Sequence, residues 1–336
     1  MRPALGVLCY AIAVAWVLPL VLVRLSEKGV SPRLGLAAWL AAMFSAVASA
    51  TVALALLARV VVAGWPAFAR TVCESVTASA CPPALYRSAA YELGLAVTAF
   101  LGGVLLIFLG WRYGRSLRRA SIRTRAHAEA ARIAGRPVGG HKPAFVLDAA
   151  QPAVYCVPGR PPTIVLTTGA LAVLNPEQLT AVLTHERAHL AGRHHLLLAM
   201  TRSLAAVAPV VPLFARGTTE VARLAEMRAD DVAALRRGRR PLLTALLAMA
   251  GRLTPPSGLT PPGVLTPPGG LIPPGVPAVP AAWLGATGGV IAVRAGRLAA
   301  PPPRSRQVRH GLALAALILA IAVSSVLVPV LAITGF

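Results

Sequence analysis

Four of the seven histidines in the chain fall in one short run, His185-Glu186-Arg187-Ala188-His189-Leu190-Ala191-Gly192-Arg193-His194-His195. Its first five residues spell HExxH. On a helix, residues four apart share a face, so His185 and His189 can aim ring nitrogens at one divalent ion. Glu186 projects beside them, where it can take a proton from a water that such an ion activates. Two buried, hydrogen-bonded histidines are the plain structural alternative. That alternative leaves the acid between them unexplained.

A catalytic zinc takes a third protein ligand and keeps a fourth position open. Acids are scarce, 11 Asp+Glu in 336 residues, and downstream of the motif there are only Glu220, Glu226, Asp230 and Asp231. Glu226-Met227-Arg228-Ala229-Asp230 places Glu226 and Asp230 on one helical face, which suits Glu226 as the ligand and Asp230 as acceptor for the outer N–H of a ligand histidine. Solvated helix charges are the alternative for this pair. Asp231 falls on another face and reads as structural. His185 to His195 also fits HExxHxxGxxH, in which a glycine turns the chain and His195 completes the site. Against it, Leu196, Leu197 and Leu198 read as a helix continuing straight past Gly192, since one glycine is tolerated. No later strand-and-turn module offers a methionine floor either, so Glu226 is preferred. His194 and His195 stay as accessory candidates, for substrate contacts or a charge at a helix end.

The elements that must position these residues are legible in outline. Ser121–Gly135 predicts a short helix ending at a glycine before a proline. Ala144–Asp148, Ala153–Val157 and Thr163–Thr168 read as strands, the last two joined tightly through Pro158-Gly159-Arg160-Pro161-Pro162. The expectation is a small antiparallel sheet, with Thr163–Thr168 as the edge strand beside the HExxH helix. Asn175 caps that helix, with Pro176 at its first position and Gln178 at the capping-box position.

The chain is 56% hydrophobic and 13% charged, too apolar for an ordinary soluble protein, and 33 Lys+Arg give a net charge of +22. A disulfide-dense secreted module and an acidic tail are excluded. A nucleic-acid binder would not set its cations between long apolar runs, so no direct nucleic-acid partner is expected. Pro3–Val23, Leu34–Leu57, Leu93–Trp111 and Leu312–Thr334 are each long enough to cross a bilayer. The partner implied is lipid. Arginines crowd the segments after the third span (Arg112, Arg115, Arg118, Arg119, Arg123, Arg125) and before the last (Arg294, Arg297, Arg304, Arg306, Arg309). By the positive-inside rule, both termini lie outside a cell membrane and residues 112–310 inside. Cys73 and Cys81 then fall in an external loop where a disulfide could form, while Cys156 is in the reducing interior. Residues 196–215 resemble a fifth span but hold Arg202, Pro209 and Pro212. A single crossing there would part Glu226 from His185, so a shared ion requires this segment to turn back.

Together with "TIVLTTGALAVLNPEQLTAVLTHERAH" and "EMRAD", this layout resembles the BlaR/MecR-type membrane zinc metallopeptidases, and shares the HtpX-type order of HExxH followed by ExxAD. The resemblance is most specific over 163–231. It implies a mainly α integral membrane protein: four transmembrane helices and a cytoplasmic α+β zincin-like domain with one catalytic Zn2+. His185, His189 and Glu226 would be the ligands, Glu186 the base and Asp230 their support. The expected organisation is a three-helix membrane region at 1–111, a metallopeptidase domain at 112–252, a Pro/Gly-rich linker with a short amphipathic segment at 253–310, and a closing span at 311–336. The resemblance further implies hydrolysis of a cytoplasmic or membrane-associated protein, such as a transcriptional repressor. Alternatives are membrane quality control, or a non-catalytic receptor that kept the fold. The antibiotic sensors of that family carry a penicillin-binding-like domain after the last span. This sequence reaches Phe336 soon after its own, so a signal is expected through the 58–91 loop, the spans or a partner. Four near-copies, LTPPSG, LTPPGV, LTPPGG and LIPPGV from Leu253 to Val276, predict an extended, partly polyproline linker, with a docking site for a proline-reading partner as the alternative.

Overall fold

A computed structural model describes residues 2–27, 29–77, 83–138, 144–159, 161–251 and 288–334. The repeat at 253–276, Arg160 of the tight connection, and Cys81 with its expected pairing to Cys73 lie outside these residues. The described elements are helices α1 (Arg2–Trp16), α2 (Leu18–Ser26), α3 (Pro32–Thr77) and α4 (Pro83–Ala134), then strands β1 (Arg136–Pro137), β2 (Ala144–Leu147), β3 (Val154–Val157) and β4 (Thr163–Thr167). After them come α5 (Thr168–Val173), α6 (Pro176–Ala191), α7 (His194–Val207), α8 (Pro212–Arg237), α9 (Arg239–Ala250), α10 (Gly288–Ala299) and α11 (Arg304–Thr334).

Four stretches, Pro3–Ser26, Pro32–Trp65, Tyr91–Ala134 and Arg304–Thr334, are long and apolar enough to cross a membrane, and they contain the four expected spans. Their outward faces carry large apolar side chains, with Phe100, Ile107 and Leu319 exposed. Hydrocarbon, not water, is the solvent that fits such a surface. The first span is interrupted at Val17, just ahead of Pro19, whose ring cannot continue the hydrogen-bond ladder. Where the spans meet, Tyr10 Oη lies 3.0 Å from Ser45 Oγ and 2.8 Å from Ser324 Oγ, and Ser45 Oγ lies 2.7 Å from Ser325 Oγ. One hydroxyl cluster thus joins α1, α3 and α11.

Two expectations are corrected. Ser121–Gly135 is no separate short helix: α4 runs unbroken from the third span to Ala134. Gly114 is the one glycine between Trp111 and Ala134, and the Arg- and Ala-rich sequence around it favours helix strongly enough to carry through. The sheet is mixed, not antiparallel. Its order is β1-β2-β4-β3, with β2 parallel to β4 (Ala144 opposite Ile164) and β3 antiparallel to β4 (Val154 opposite Leu166). The expected edge strand is therefore central and β3 is the edge. The physical reason is burial on both faces: all five residues of β4 are buried, as a central strand requires.

The 196–215 segment turns back, as a shared ion demands. α7 ends at Val207, the chain turns through Ala208–Val211, and α8 starts with Pro212 at its first position. Thr218 Oγ1 donates to Thr201 O at 3.1 Å across this hairpin. The first half of α8 packs Leu213, Phe214, Val221 and Leu224 into one core with Leu22, Leu36, Trp39 and Met43 of the spans. Close approach needs Gly217, because a Cβ there would stand 3.1 Å from the Trp39 ring and 2.1 Å from the Met43 methyl. The loop between α2 and α3 also grips α8: Arg223 donates to Ser26 O at 2.7 Å, to Glu27 O at 2.9 Å and to Glu220 at 2.6 Å.

Candidate metal centre

Helix α6 starts as the sequence predicts. Asn175 Oδ1 accepts from Gln178 N at 2.9 Å and Gln178 Oε1 accepts from Asn175 N at 3.0 Å, a complete capping box ahead of Pro176. The helix is then wedged on several sides. Leu183 packs on Ile164 and Leu166 of β4, Val182 on Ala170 and Ala245, and Ala181 on Ala233, Leu242 and Leu298. Enclosure of this kind carries His185, Glu186 and His189 into the interior, each no more than 9% exposed.

α8 crosses α6 so that Glu226 meets both imidazoles. Glu226 Oε2 lies 3.4 Å from His185 Nε2 and Oε1 lies 3.4 Å from His189 Nε2, while the two ring nitrogens are 3.0 Å apart. Ligand atoms about 2.0–2.1 Å from a tetrahedral zinc stand about 3.3–3.4 Å from one another, so these three donors fit the ion. Among the described residues, His185, His189 and Glu226 are the group of metal-ligating side chains that converges in this way. His185 Nδ1 faces Asp230 Oδ1 at 3.0 Å and has no other partner. A carboxylate at that distance behind a ligand imidazole holds its ring in place.

The charge balance includes a residue that the sequence did not mark. Arg294 of α10 donates to Asp230 in bidentate fashion, Nε to Oδ2 and Nη2 to Oδ1, both at 2.8 Å, and its Nη1 lies 3.0 Å from Glu226 Oε2. One turn on, Arg297 forms the matching pair with Asp231 at 2.6 and 2.9 Å, and donates to Gly29 O at 3.0 Å. The short amphipathic segment expected within 253–310 contains α10, which forms a clasp over α8. Asp231 has the structural part foreseen for it. Two arginines set three apart, after the only adjacent pair of acids in the chain, were the available signal.

These neighbours set the ionisation. Burial would raise Glu226, yet His189 and Arg294 hold its carboxyl well below the ordinary range. Asp230, also buried, is kept at about 2 by Arg294 and by its bond to His185. Burial disfavours charge on His185, but Asp230 and Glu226 outweigh it and raise that imidazole to about 10. Glu186 has no such cation and burial pushes it upward, with His185 and His189 pulling partly back. It lies against the Cys156 thiol, which burial and then Glu186 push far up.

The structure places the two accessory histidines differently. The chain does break after α6: Arg193 takes a left-handed conformation (φ 49°, ψ 35°), and α7 begins at His194. A continuous helix through Gly192 is therefore overturned. The break still does not bring His195 to the three converging donors; His195 lines the neighbouring cleft. His194 is buried, with Nδ1 3.0 Å from His189 Nδ1. Burial, then His189, lowers it to about 4.

The donors open into a cleft of about 1420 Å³. Edge strand β3 lines one side with Val154 and Cys156, and the cleft continues between α4 and α7 as far as Ser116 and Ala206.

Residues 117–246 match the model of peptidase family M48. The match takes in less than half of the chain, from the C-terminal part of α4 into α9, and it includes the three converging donors and Glu186. No curated protein and no solved structure gives a significant match to the chain. The matched region is thus similar to metallopeptidases that depend on zinc, and four apolar helices of membrane-spanning length flank it.

Proposed function

We propose that this chain is a membrane-embedded zinc endopeptidase whose site faces the cytoplasm at the inner surface of the bilayer. The observation that carries this is the convergence of the buried His185 and His189 with the partly buried Glu226, with Glu186 next to them. A zinc ion held by those three side chains would polarise a peptide carbonyl and acidify a water beside it. Glu186 takes the proton that the attacking water gives up and delivers it to the departing amine. Its raised affinity for protons suits both halves of that transfer. Asp230 and Arg294 keep the His185 ring and the Glu226 carboxylate in register. The substrate lies extended along β3, adding a strand to the sheet edge; main-chain hydrogen bonds then hold it with little dependence on its sequence.

In the purified full-length protein, Glu186→Gln is expected to keep one zinc per chain by elemental analysis and to lose peptide cleavage. His189→Ala is expected to lose the zinc as well. A Glu186→Gln protein that cleaves at the wild-type rate ends the mechanism, and wild type that binds no zinc ends the metal centre.

Two roles for such a protease follow from different features. The BlaR/MecR-type resemblance favours cleavage of a cytoplasmic repressor in signalling. The continuation of the cleft toward the membrane end of α4 favours clipping of membrane proteins close to the bilayer. Proteomes of wild-type and Glu186→Gln cells separate the two by whether a repressor or juxtamembrane fragments disappear.

A further inference from the structure

We propose that His194 is a positioning residue for the metal centre: it accepts the outer ring N–H of His189 and so fixes that ligand's tautomer and orientation. This rests on the zinc-centre reading above and adds to it a residue outside the ligand set.

His189 Nε2 points at Glu226 and at His185, and Nδ1 points the other way, to His194 Nδ1 at 3.0 Å. A neutral imidazole has one N–H and one lone pair. If the Nε2 lone pair serves a cation, the proton sits on Nδ1, and His194 Nδ1 must then be its acceptor, with the His194 proton on Nε2. His194 stands to His189 as Asp230 stands to His185, whose Nδ1 has the carboxylate 3.0 Å away. Both ligand rings are therefore backed, one by a carboxylate and the other by an imidazole.

The chain is bent expressly at this point. Arg193 is the one non-glycine residue with positive φ among those described, and it starts the helix that carries His194. Gly192 leaves room for the ring: a Cβ there would lie 2.5 Å from His194 Nε2 and 2.7 Å from Cδ2. The two rings meet edge to face, with centroids 4.8 Å apart and planes at 90°. His194 is 4% exposed, so water does not compete for the bond.

The test uses the full-length protein in detergent with three substitutions. His194→Phe keeps an aromatic ring without an acceptor, while His194→Asn and His194→Asp restore one. Zn2+ affinity is read by chelator competition, and ligand geometry by the visible spectrum of the Co2+-loaded protein. His194→Phe is expected to weaken Zn2+ binding about 10–100-fold and to shift the Co2+ bands. His194→Asn and His194→Asp should return both toward wild type. Gly192→Ala, which crowds the ring without changing its chemistry, should shift the bands in the same direction, and it provides the readout if His194→Phe does not fold. Wild-type affinity and an unchanged spectrum in His194→Phe, or in Gly192→Ala if it alone folds, would overturn the proposal and leave the zinc centre standing. Asn and Asp variants as weak as Phe would overturn it too, since packing alone would then be at work. Wild-type protein that binds neither Zn2+ nor Co2+ defeats the metal centre and this assignment together.

Discussion

Arg294 is the residue on which the carboxylates of the site depend. Removing its guanidinium leaves the buried Asp230 and the partly buried Glu226 beside each other without their cation, and breaking a buried pair from one side costs about 3–5 kcal/mol. Arg294→Ala is therefore expected to lower the thermal unfolding temperature markedly in the metal-free protein, whereas Arg297→Ala, whose partner Asp231 is more exposed, should lower it less. The pH dependence follows from Asp230, which goes from 3.8 unfolded to about 2 folded. Its contribution, about 2 kcal/mol, is complete above 3.8 and disappears as pH falls through about 2. Asp230→Asn should accordingly flatten the acid limb of a stability curve measured from pH 5 to 2. At this scale much of the site is legible in the sequence. His185, Glu186 and His189 announce themselves by spacing, and Glu226 and Asp230 stand out because acids are rare. Arg294 is 64 positions from its partner and one arginine among many, so its three-residue spacing to Arg297 is the one faint trace that the sequence holds of it.

Helices and strands were visible by pattern, but their partners were not. Runs of four or five apolar residues located β2, β3 and β4 to within a residue or two. Their order was misread because nearest neighbours in sequence look like a hairpin, and here β4 inserts between β2 and β3. That choice is made by which strand can bury both faces, a comparison among strands that no single run contains. The break between α6 and α7 was hidden for a related reason: the apolar period continues across it, and only the left-handed Arg193 shows the turn. The loop between α2 and α3 offers a test of how elements hold α8. Gly29 has φ +56°, and a Cβ there would lie 2.1 Å from Met227 Sδ, next door to Glu226. Gly29→Ala combines backbone strain with that collision and should destabilise the protein by about 1–3 kcal/mol. It should also weaken Zn2+ binding, as measured by chelator competition, because the displaced methionine moves the ligand helix.

Across the whole molecule, α8 joins the spans to the site, since it packs its first half on α3 and carries Glu226 in its second. The hydroxyl cluster around Tyr10 ties the spans that flank this arrangement. Hydrogen bonds between membrane helices are worth about 0.6 kcal/mol on average, so Tyr10→Phe, which loses contacts to Ser45 and Ser324, should cost about 1 kcal/mol in detergent unfolding and leave zinc content unchanged. The clasp formed by α10 has a consequence in time. The HExxH helix and Glu226 leave the ribosome well before Arg294 does, and until the guanidinium arrives Glu226 and Asp230 face each other with only the two imidazoles to offset their charge. A chain cut short ahead of Arg294 is therefore expected to set these donors less firmly than the full one, as Arg294→Ala would.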